Sequence, residues 1–401
     1  MPDTDHRSNP WPLLIAACAI LAIALGIRHS FGIYLAPMSH DNGWGREVFA
    51  FAIALQNLVW GAAQPFAGRI ADRYGAGRAV ALGSVFYVAG LVGMATISSA
   101  SGFILVSGLL LGIGLAGASF AVVFGAVGRV VAAEKRSMAL GIAGAVGSFG
   151  QFVMLPLGQS VMEAFGWSMA LLLLALLAAA MLPLSLGVSE KDTTPPAGTE
   201  MSAADALREA ARHSGFWLLS LGFFVCGFQV VFIGTHLPAF LVDQGLSGGT
   251  GAAVLALVGL FNVVGSFLAG MLGARMRKGW LLSAIYVGRA IAIALFVFLP
   301  ITTASAWAFG IAMGFFWLST VPVTNAMVAG IFGVRNMSML TGIVFFCHQI
   351  GAFLGGWLGG YVYDRLGSYD LVWLIAIVLS VAAALLNLPV KEELVARLRP
   401  A

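Results

Sequence analysis

The chain has 401 residues, 60% of them hydrophobic and only 9% charged, with a net charge of +4. Soluble domains are roughly 25% charged, and no water-soluble fold of this length could hide so much apolar side chain. The composition excludes an ordinary soluble enzyme or nucleic-acid binder and makes lipid the solvent.

Residues 1–11 are short and polar, and the apolar run after them lacks a small-residue cleavage site, so it reads as a first membrane span rather than a leader peptide. Runs long enough to cross a bilayer as helices, about 20 residues each, fall at 12–37, 48–68, 79–98, 102–128, 138–161 and 167–187. A second set of six follows at 216–242, 250–273, 280–300, 305–329, 338–361 and 371–389. Between the sets lies the polar stretch 188–215, with Glu190, Lys191, Asp192, Pro195 and Pro196; it reads as a linker in which Ala203 to Ala211 form a short surface helix. The domain division expected is therefore 1–187, 188–215 and 216–401. The cysteines Cys18, Cys226 and Cys347 stand inside spans at unrelated spacings, which offers neither a disulfide framework nor a metal site.

With the N-terminus inside, seventeen of the 21 basic residues fall on the cytoplasmic side, among them Arg69, Arg73, Arg78, Arg275, Arg277, Lys278 and Lys391. Only Arg46 and Arg365 lie outside, and Arg28 and Arg289 lie within the membrane. The positive-inside rule then places both termini and the linker in the cytoplasm.

A shift of 201 residues aligns the two sets of spans: Gly26 meets Gly227, Pro37 meets Pro238, Gly150 meets Gly351, Gly158 meets Gly359 and Gly166 meets Gly367. Glu163 and Asp364 also coincide, each an acid three residues before a glycine. A duplicated six-helix unit suits a transporter with its substrate site between two bundles near the bilayer midplane. The glycines at 141, 144, 147 and 150, and at 355, 356, 359 and 360, would let helices five and eleven approach partners closely.

After the second span the chain reads Gly68-Arg69-Ile70-Ala71-Asp72-Arg73-Tyr74-Gly75-Ala76-Gly77-Arg78. This resembles the G-x-x-x-D-R-x-G-x-x-R signature of the major facilitator superfamily, in which an acid flanked by arginines holds helix ends by charge-assisted bonds that break as the bundles rock. Gly68, Asp72, Arg73, Gly75 and Arg78 are the candidate conformational-switch residues. The corresponding loop Gly270 to Gly279 keeps Arg275, Arg277 and Lys278 but no acid. Within the superfamily the chain is similar to the monocarboxylate and oxalate–formate porters. The similarity rests on helix one, Gly26-Ile27-Arg28-His29-Ser30-Phe31-Gly32-Ile33-Tyr34, and on the glycine-rich stretch from Gly112 to Trp167 with Lys135-Arg136 and Pro156. It departs from them in helix eight, where those families carry an arginine and this chain reads Phe261-Asn262-Val263-Val264-Gly265-Ser266. The resemblance implies an all-α membrane protein of twelve transmembrane helices in two pseudo-symmetric six-helix bundles.

Every Asp and Glu stands in a loop or at a helix end, so the membrane interior holds Arg28, Arg289, His29, His236 and His348 with no carboxylate to balance them. An uncompensated buried cation is costly, and an anionic substrate is its natural partner. Arg28, on a helix that lines the cavity in the resembled fold, has the fork to grip a carboxylate bidentately; the alternative is a structural bond to carbonyls. His348 with Gln349 on helix eleven stands where oxalate–formate porters place a basic residue. Tyr34 and His236 lie towards the outer mouth. Asn57, Gln151, Asn262, Thr324 and Asn325 complete the candidate substrate set, with Gln56, Gln64, Ser148 and Thr320 as further polar groups; each alone is equally an interhelical bond. His29 and His348 are the proton-coupling candidates. Arg289, on helix nine at the expected periphery, reads with Gln349 as structural.

Nothing resembles a phosphate-binding loop, a metal cluster or a nucleophile–base pair, so neither cofactor nor catalysis is expected. The reading is a monomeric, multi-pass inner-membrane carrier of a small organic anion, monocarboxylate-like, working by rocker-switch alternating access, proton-coupled or exchanging two anions. The alternatives are an exporter of hydrophobic or amphipathic compounds, which the Phe- and Met-rich helices favour, and a non-transporting receptor on the same scaffold.

Overall fold

The computed structural model describes residues 11–131, 133–189, 203–332, 337–393 and 395. Most of the expected linker, 190–202, lies outside the described residues, as do Lys191, Arg335, Arg397 and Arg399 and the side chains of Asp72, Arg129, Lys135 and Arg136. Every regular element among the described residues is helical. Eleven stretches are long and apolar enough to span a bilayer, and one of them, Ile142–Gly187, has 46 residues. The helix that carries most of it begins at Ala133 and bends at Gly166, whose φ of 82° an L side chain rarely adopts, so the region holds two spans, 133–165 and 167–187. The chain is a twelve-helix, multi-pass membrane protein.

The spans are α1 (Trp11–His29, then a 3-10 turn Phe31–Tyr34 and Leu35–Asp41), α2 (Arg46–Tyr74), α3 (Ala76–Thr96) and α4 (Ala100–Phe103 to Phe120–Val130). Next come α5 (133–165) and α6 (167–187), and then α7 (Ser214–Asp243). The remainder are α8 (Gly248–Gly273), α9 (Lys278–Phe298), α10 (Thr303–Phe316 and Thr320–Phe332), α11 (Met337–Leu366) and α12 (Asp370–Asn387). Several helices outrun their apolar stretches: α2 continues to Tyr74 and α11 to Leu366. Hydropathy sees only the hydrocarbon depth, whereas a helix keeps its backbone bonds into the headgroup zone. An unlabelled helix, Ala203–Arg212, precedes α7.

Packing repeats between the halves. The α1/α5 contact is matched by α7/α11, α2/α4 by α8/α10, and α3/α6 by α9/α12. Small residues allow the closest of these. A Cβ on Gly26 would run into the Gly150 carbonyl of α5, and one on Gly227, its counterpart, into the His348 carbonyl of α11. Gly150 in turn abuts the Ala22 carbonyl, and Gly351 that of Phe224. The halves meet along two long seams, α2 against α11 and α5 against α8, and where the 3-10 turn of α1 abuts α7 with Gly32 against the Gly234 carbonyl. Helix α11 serves both jobs with two stripes. Gly355 and Gly359 face α7, whereas Gly356 and Gly360 face Ala54 and Ala50 of α2.

Helices α4 and α10 are interrupted at matching positions, Ser119 and Trp317–Ser319. In α10 the cause is legible. Pro322 has no N–H to offer the Leu318 carbonyl and its ring crowds that carbonyl, so the chain closes a tighter turn, Val321 N–H to Leu318 O, 2.9 Å.

Gly227→Ala should destabilise the second bundle by about 1–3 kcal/mol, the usual range for overpacking, visible as a lower melting temperature of the detergent-purified protein. Gly330→Ala, where a Cβ meets nothing within 4 Å, should leave it unchanged.

Candidate substrate site and the latch beside it

Two buried cations dominate the interior, and they are treated differently. Arg289 on α9 is fully buried at 0% exposure. Its guanidinium donates to the Phe316 carbonyl from Nε (3.1 Å) and Nη2 (2.6 Å), and to the Trp317 carbonyl. It also reaches Gln229 Oε1 at 3.2 Å and Cys226 Sγ at 3.4 Å. Those carbonyls are freed where α10 breaks, and lipid offers them no donor. Arg289 staples the break; no face of its guanidinium is left for a solute.

Arg28 on α1 is buried too, at 8% exposure, but far less engaged. One Nη donates to Asn57 Oδ1 of α2 at 2.9 Å, and Nε has no partner. No carboxylate pairs with Arg28 among the described residues. It stands where α1 stops being an α-helix: Ser30 turns its hydroxyl back to the Ile27 carbonyl (2.8 Å), and a 3-10 turn follows. Asn57 is itself fixed, its Nδ2 donating to the Ile53 carbonyl at 2.7 Å. His29, half-buried, spends Nδ1 on the Leu25 carbonyl at 2.7 Å, which makes Nδ1 the protonated nitrogen and leaves Nε2 free to act. Tyr34, one and a half turns on, has a buried hydroxyl without a partner beside Gly158 of α5.

The α2/α11 seam continues from Asn57. Gly61 packs on Gln349, whose Nε2 is buried and unpartnered. His348 stacks on Phe345 (5.6 Å, 7°), lies 4.7 Å from Phe223 and contacts Gln349 Oε1 at 3.2 Å. Phe345 meets Trp60 of α2 edge-on at 5.7 Å. The Trp60 and Gln64 side chains both donate to Ser119 Oγ at the α4 break (3.1 and 3.2 Å), and Gln56 donates to the Ser107 carbonyl. On the other seam Gln151 donates to the Leu255 carbonyl (3.0 Å) and Asn262 to Ser148 Oγ (3.1 Å). Asn262 Oδ1 also takes the Leu318 N–H at the α10 break. These two are already engaged in holding α5 to α8. Thr320 touches Cys226 Sγ at 3.2 Å; Thr324 is buried and Asn325 half-buried on α10 beyond the break. Structure thus sets Arg28, Asn57 and Gln349 along the first seam and Tyr34 against Gly158 of α5, while His348 reaches both Gln349 Oε1 and Cys226, the α7 thiol that Arg289 and Thr320 also touch.

Composition and pattern did not single out the contact that closes one end of the seam. Arg46, at the start of α2, pairs bidentately with Asp243 at the end of α7 (2.6 and 2.7 Å). It lies 3.8 Å over the Tyr363 ring and donates to Tyr369 Oη at 2.9 Å. Asp364 of α11 accepts from the N–H groups of Arg46 and Glu47 (2.9 and 2.8 Å), capping α2 from the other half. Glu47 receives Trp357 Nε1 at 3.0 Å and Arg365 at 3.4 Å. His236 joins this group, with Nε2 donating to the Gly356 carbonyl (2.7 Å) and Nδ1 facing Tyr369 Oη (3.3 Å). Arg46 and Arg365, the two basic residues that the charge count left outside, are both in this latch; that exception was the available signal. The counterpart of Asp364, Glu163, bonds Gln159 instead (2.8 Å), because α8 is capped by its own Ser247, which accepts from Thr250 N–H.

The loop at 68–78 lies at the opposite end of α2. Gly75, with φ 90°, turns α2 straight into α3. Arg73 lies 5.3 Å from the Tyr74 ring, Arg78 is exposed, Gly68 has nothing within 4 Å of a notional Cβ, and the Asp72 side chain lies outside the described residues.

A model of the Major Facilitator Superfamily matches residues 13–320. Among relatives, an uncharacterized MFS-type transporter, YcxA of Bacillus subtilis, is 26% identical over 95% of this chain and 96% of its own. Monocarboxylate transporter 11 of Homo sapiens is 27% identical over 94% and 83%. The oxalate:formate antiporter of Oxalobacter formigenes is 24% identical over 95% and 92%. Solved structures share the fold. A bacterial homolog of the human lysosomal transporter Spinster, in an inward-facing, unoccupied conformation, superposes with a TM-score of 0.76 at 16% identity, covering 95% of this chain and 97% of that one. A D-xylose–proton symporter gives 0.72 at 17% identity, covering 97% and 100%.

Two outcomes follow from this geometry. Arg289→Gln should leave α10 carbonyls unsatisfied at about 1–3 kcal/mol each, so its melting temperature should drop well below that of Arg28→Gln. Asp243→Asn should weaken the latch by about 1.5–3 kcal/mol, the range for a bond to a charged group. In a cysteine-free background, a cysteine placed at Ala50 should then be labelled by maleimide roughly tenfold faster or more.

Proposed function

The chain belongs to the Major Facilitator Superfamily, and from that premise we propose that it carries a small organic anion, monocarboxylate-like, across the plasma membrane by rocker-switch alternating access. It is a transporter and not an enzyme. One observation carries the anion reading: Arg28 is a buried guanidinium held by a neutral amide, with an unpartnered Nε, beside a seam that must open. A carboxylate satisfies that fork in two parallel bonds. The names of the relatives, monocarboxylate and oxalate:formate carriers, support the same class.

Residues 1–187 and 216–401 are the rocking bundles. Both termini face the cytoplasm on the basic-loop argument, which makes the latched end the outer one and the present state closed to the outside. Tyr34, His348 and Gln349 are the further ligands to the substrate. Asn57 holds Arg28 in place, while Gln151 and Asn262 join the site only when the α5/α8 seam parts. Thr324 and Asn325 approach from α10. The switch residues Gly68, Asp72, Arg73, Gly75 and Arg78 form the counterpart latch of the outward-open state. If protons accompany the substrate, His29 Nε2 or His348 carries them, or the substrate's own acid group does.

The test is thermal stabilisation of the detergent-purified protein by a panel of small carboxylates. A true ligand at a hundredfold its Kd adds about 2.7 kcal/mol of stability, and the shift should vanish in Arg28→Gln while that variant stays folded. Stabilisation of the parent by uncharged amphipathic compounds alone would replace the anion reading by the exporter one.

A further inference from the structure

An open pocket of about 520 Å³ lies between the α8–α9 loop and the segment after α12. Its charged lining is Arg275, Arg277, Lys278, Lys391, Glu392 and Glu393. The two acids do not cancel the four cations. Glu392 is taken by Lys278 (3.0 Å) and by the Gly279 N–H at the start of α9 (3.2 Å). Arg277 uses one nitrogen on the Val390 carbonyl (3.3 Å), whereas Arg275 and Lys391 are exposed and make no ion pair or side-chain hydrogen bond among the described residues.

Position says what such a pocket meets. It lies where the span Gly248–Gly273 ends and the span Lys278–Phe298 begins, the depth at which lipid phosphates sit. The side chains beside it are apolar and unburied: Trp280 is 58% exposed, and Met276 and Leu388 are also exposed. The Arg277 guanidinium lies 5.9 Å from the Trp280 ring. An interfacial tryptophan next to free cations offers one surface for an acyl chain and another for a phosphate. A soluble anion would use only the second.

We propose that this pocket binds the phosphodiester headgroup of an anionic glycerophospholipid, with Arg275 and Lys391 on the phosphate and Trp280 and Met276 against the chain. Bound lipid bridges the α8–α9 loop to the segment after α12, which Glu392 already ties to the start of α9. This proposal does not depend on the substrate reading.

The experiment is native mass spectrometry of the full-length protein with phosphatidylglycerol or phosphatidylcholine added in detergent. At about 1 kcal/mol per cation near an anionic headgroup, the double variant Arg275→Gln/Lys391→Gln should hold phosphatidylglycerol roughly thirtyfold more weakly, with phosphatidylcholine unaffected. A control, Arg208→Gln/Arg212→Gln, removes the same charge elsewhere and should retain the lipid. Equal loss in both double variants would reduce the effect to bulk charge and overturn the site. Inorganic phosphate is the second arm. If it raises the melting temperature of the parent as far as phosphatidylglycerol does and displaces that lipid, the ligand is a soluble phosphate and the lipid assignment falls.

Discussion

Inside a bilayer no solvent is available to bond a bare carbonyl, and this constraint decides what each buried cation does. Breaking α10 at Trp317–Ser319 exposes carbonyls, and Arg289 is spent on them. With its donors turned to Phe316, Trp317, Gln229 and Cys226, it behaves as part of the backbone bonding of α10 rather than as a charge awaiting a ligand. Arg28 faces no comparable demand, because the α1 break after His29 is satisfied locally by Ser30 and the 3-10 turn. One cation is consumed by the fold and the other is left over, and the leftover one is the anchor of the proposed site.

The repeat sharpens this contrast. The position matching Arg28 in the second half is Gln229, a neutral residue that donates to the Ala376 carbonyl and accepts from Arg289. The two halves share glycine-mediated α1/α5 and α7/α11 contacts and share interruptions in α4 and α10, yet they distribute charge differently. Backbone approach is conserved between them because the packing requires it at every rock of the bundles. Charge is not; on the proposed anion reading a single anchor suffices, and a second cation at the seam would add desolvation cost without adding a bond.

Twelve spans, the repeat and the glycine contacts were legible because each rests on local chemistry: apolar length, fixed offset and small size. The helix breaks were half legible; Pro322 marks the α10 break, but Ser119 and the Ser30 turn carry no comparable signal. The roles of Arg28 and Arg289 differ by what surrounds them in space, and hydropathy treats them alike. Asn262 looked like a free ligand in the sequence because its partners, Ser148 and the Leu318 N–H, are 114 and 56 residues away. The latch was hidden for the same reason: Arg46 and Asp243 are 197 residues apart, and only the odd placement of Arg46 and Arg365 in the charge count hinted at it.

The materials of the seam match what alternating access asks of it. A closed end must be specific, yet cheap enough to open that a substrate's binding energy can drive the change. Ion pairs at the water-facing end meet this demand, since Arg46, Asp243, Asp364 and Glu47 regain hydration when they part, and their net contribution is small relative to their geometric precision. Deeper along α2 and α11, Ala50, Ala54, Gly356 and Gly360 offer contact that leaves no polar group stranded on separation. At the level of Arg28 and Gln349, opening exposes groups whose bonding is incomplete in the closed state. On the proposed reading, Arg28 is the charge beside the seam, among the described residues, that a ligand of opposite sign would complete.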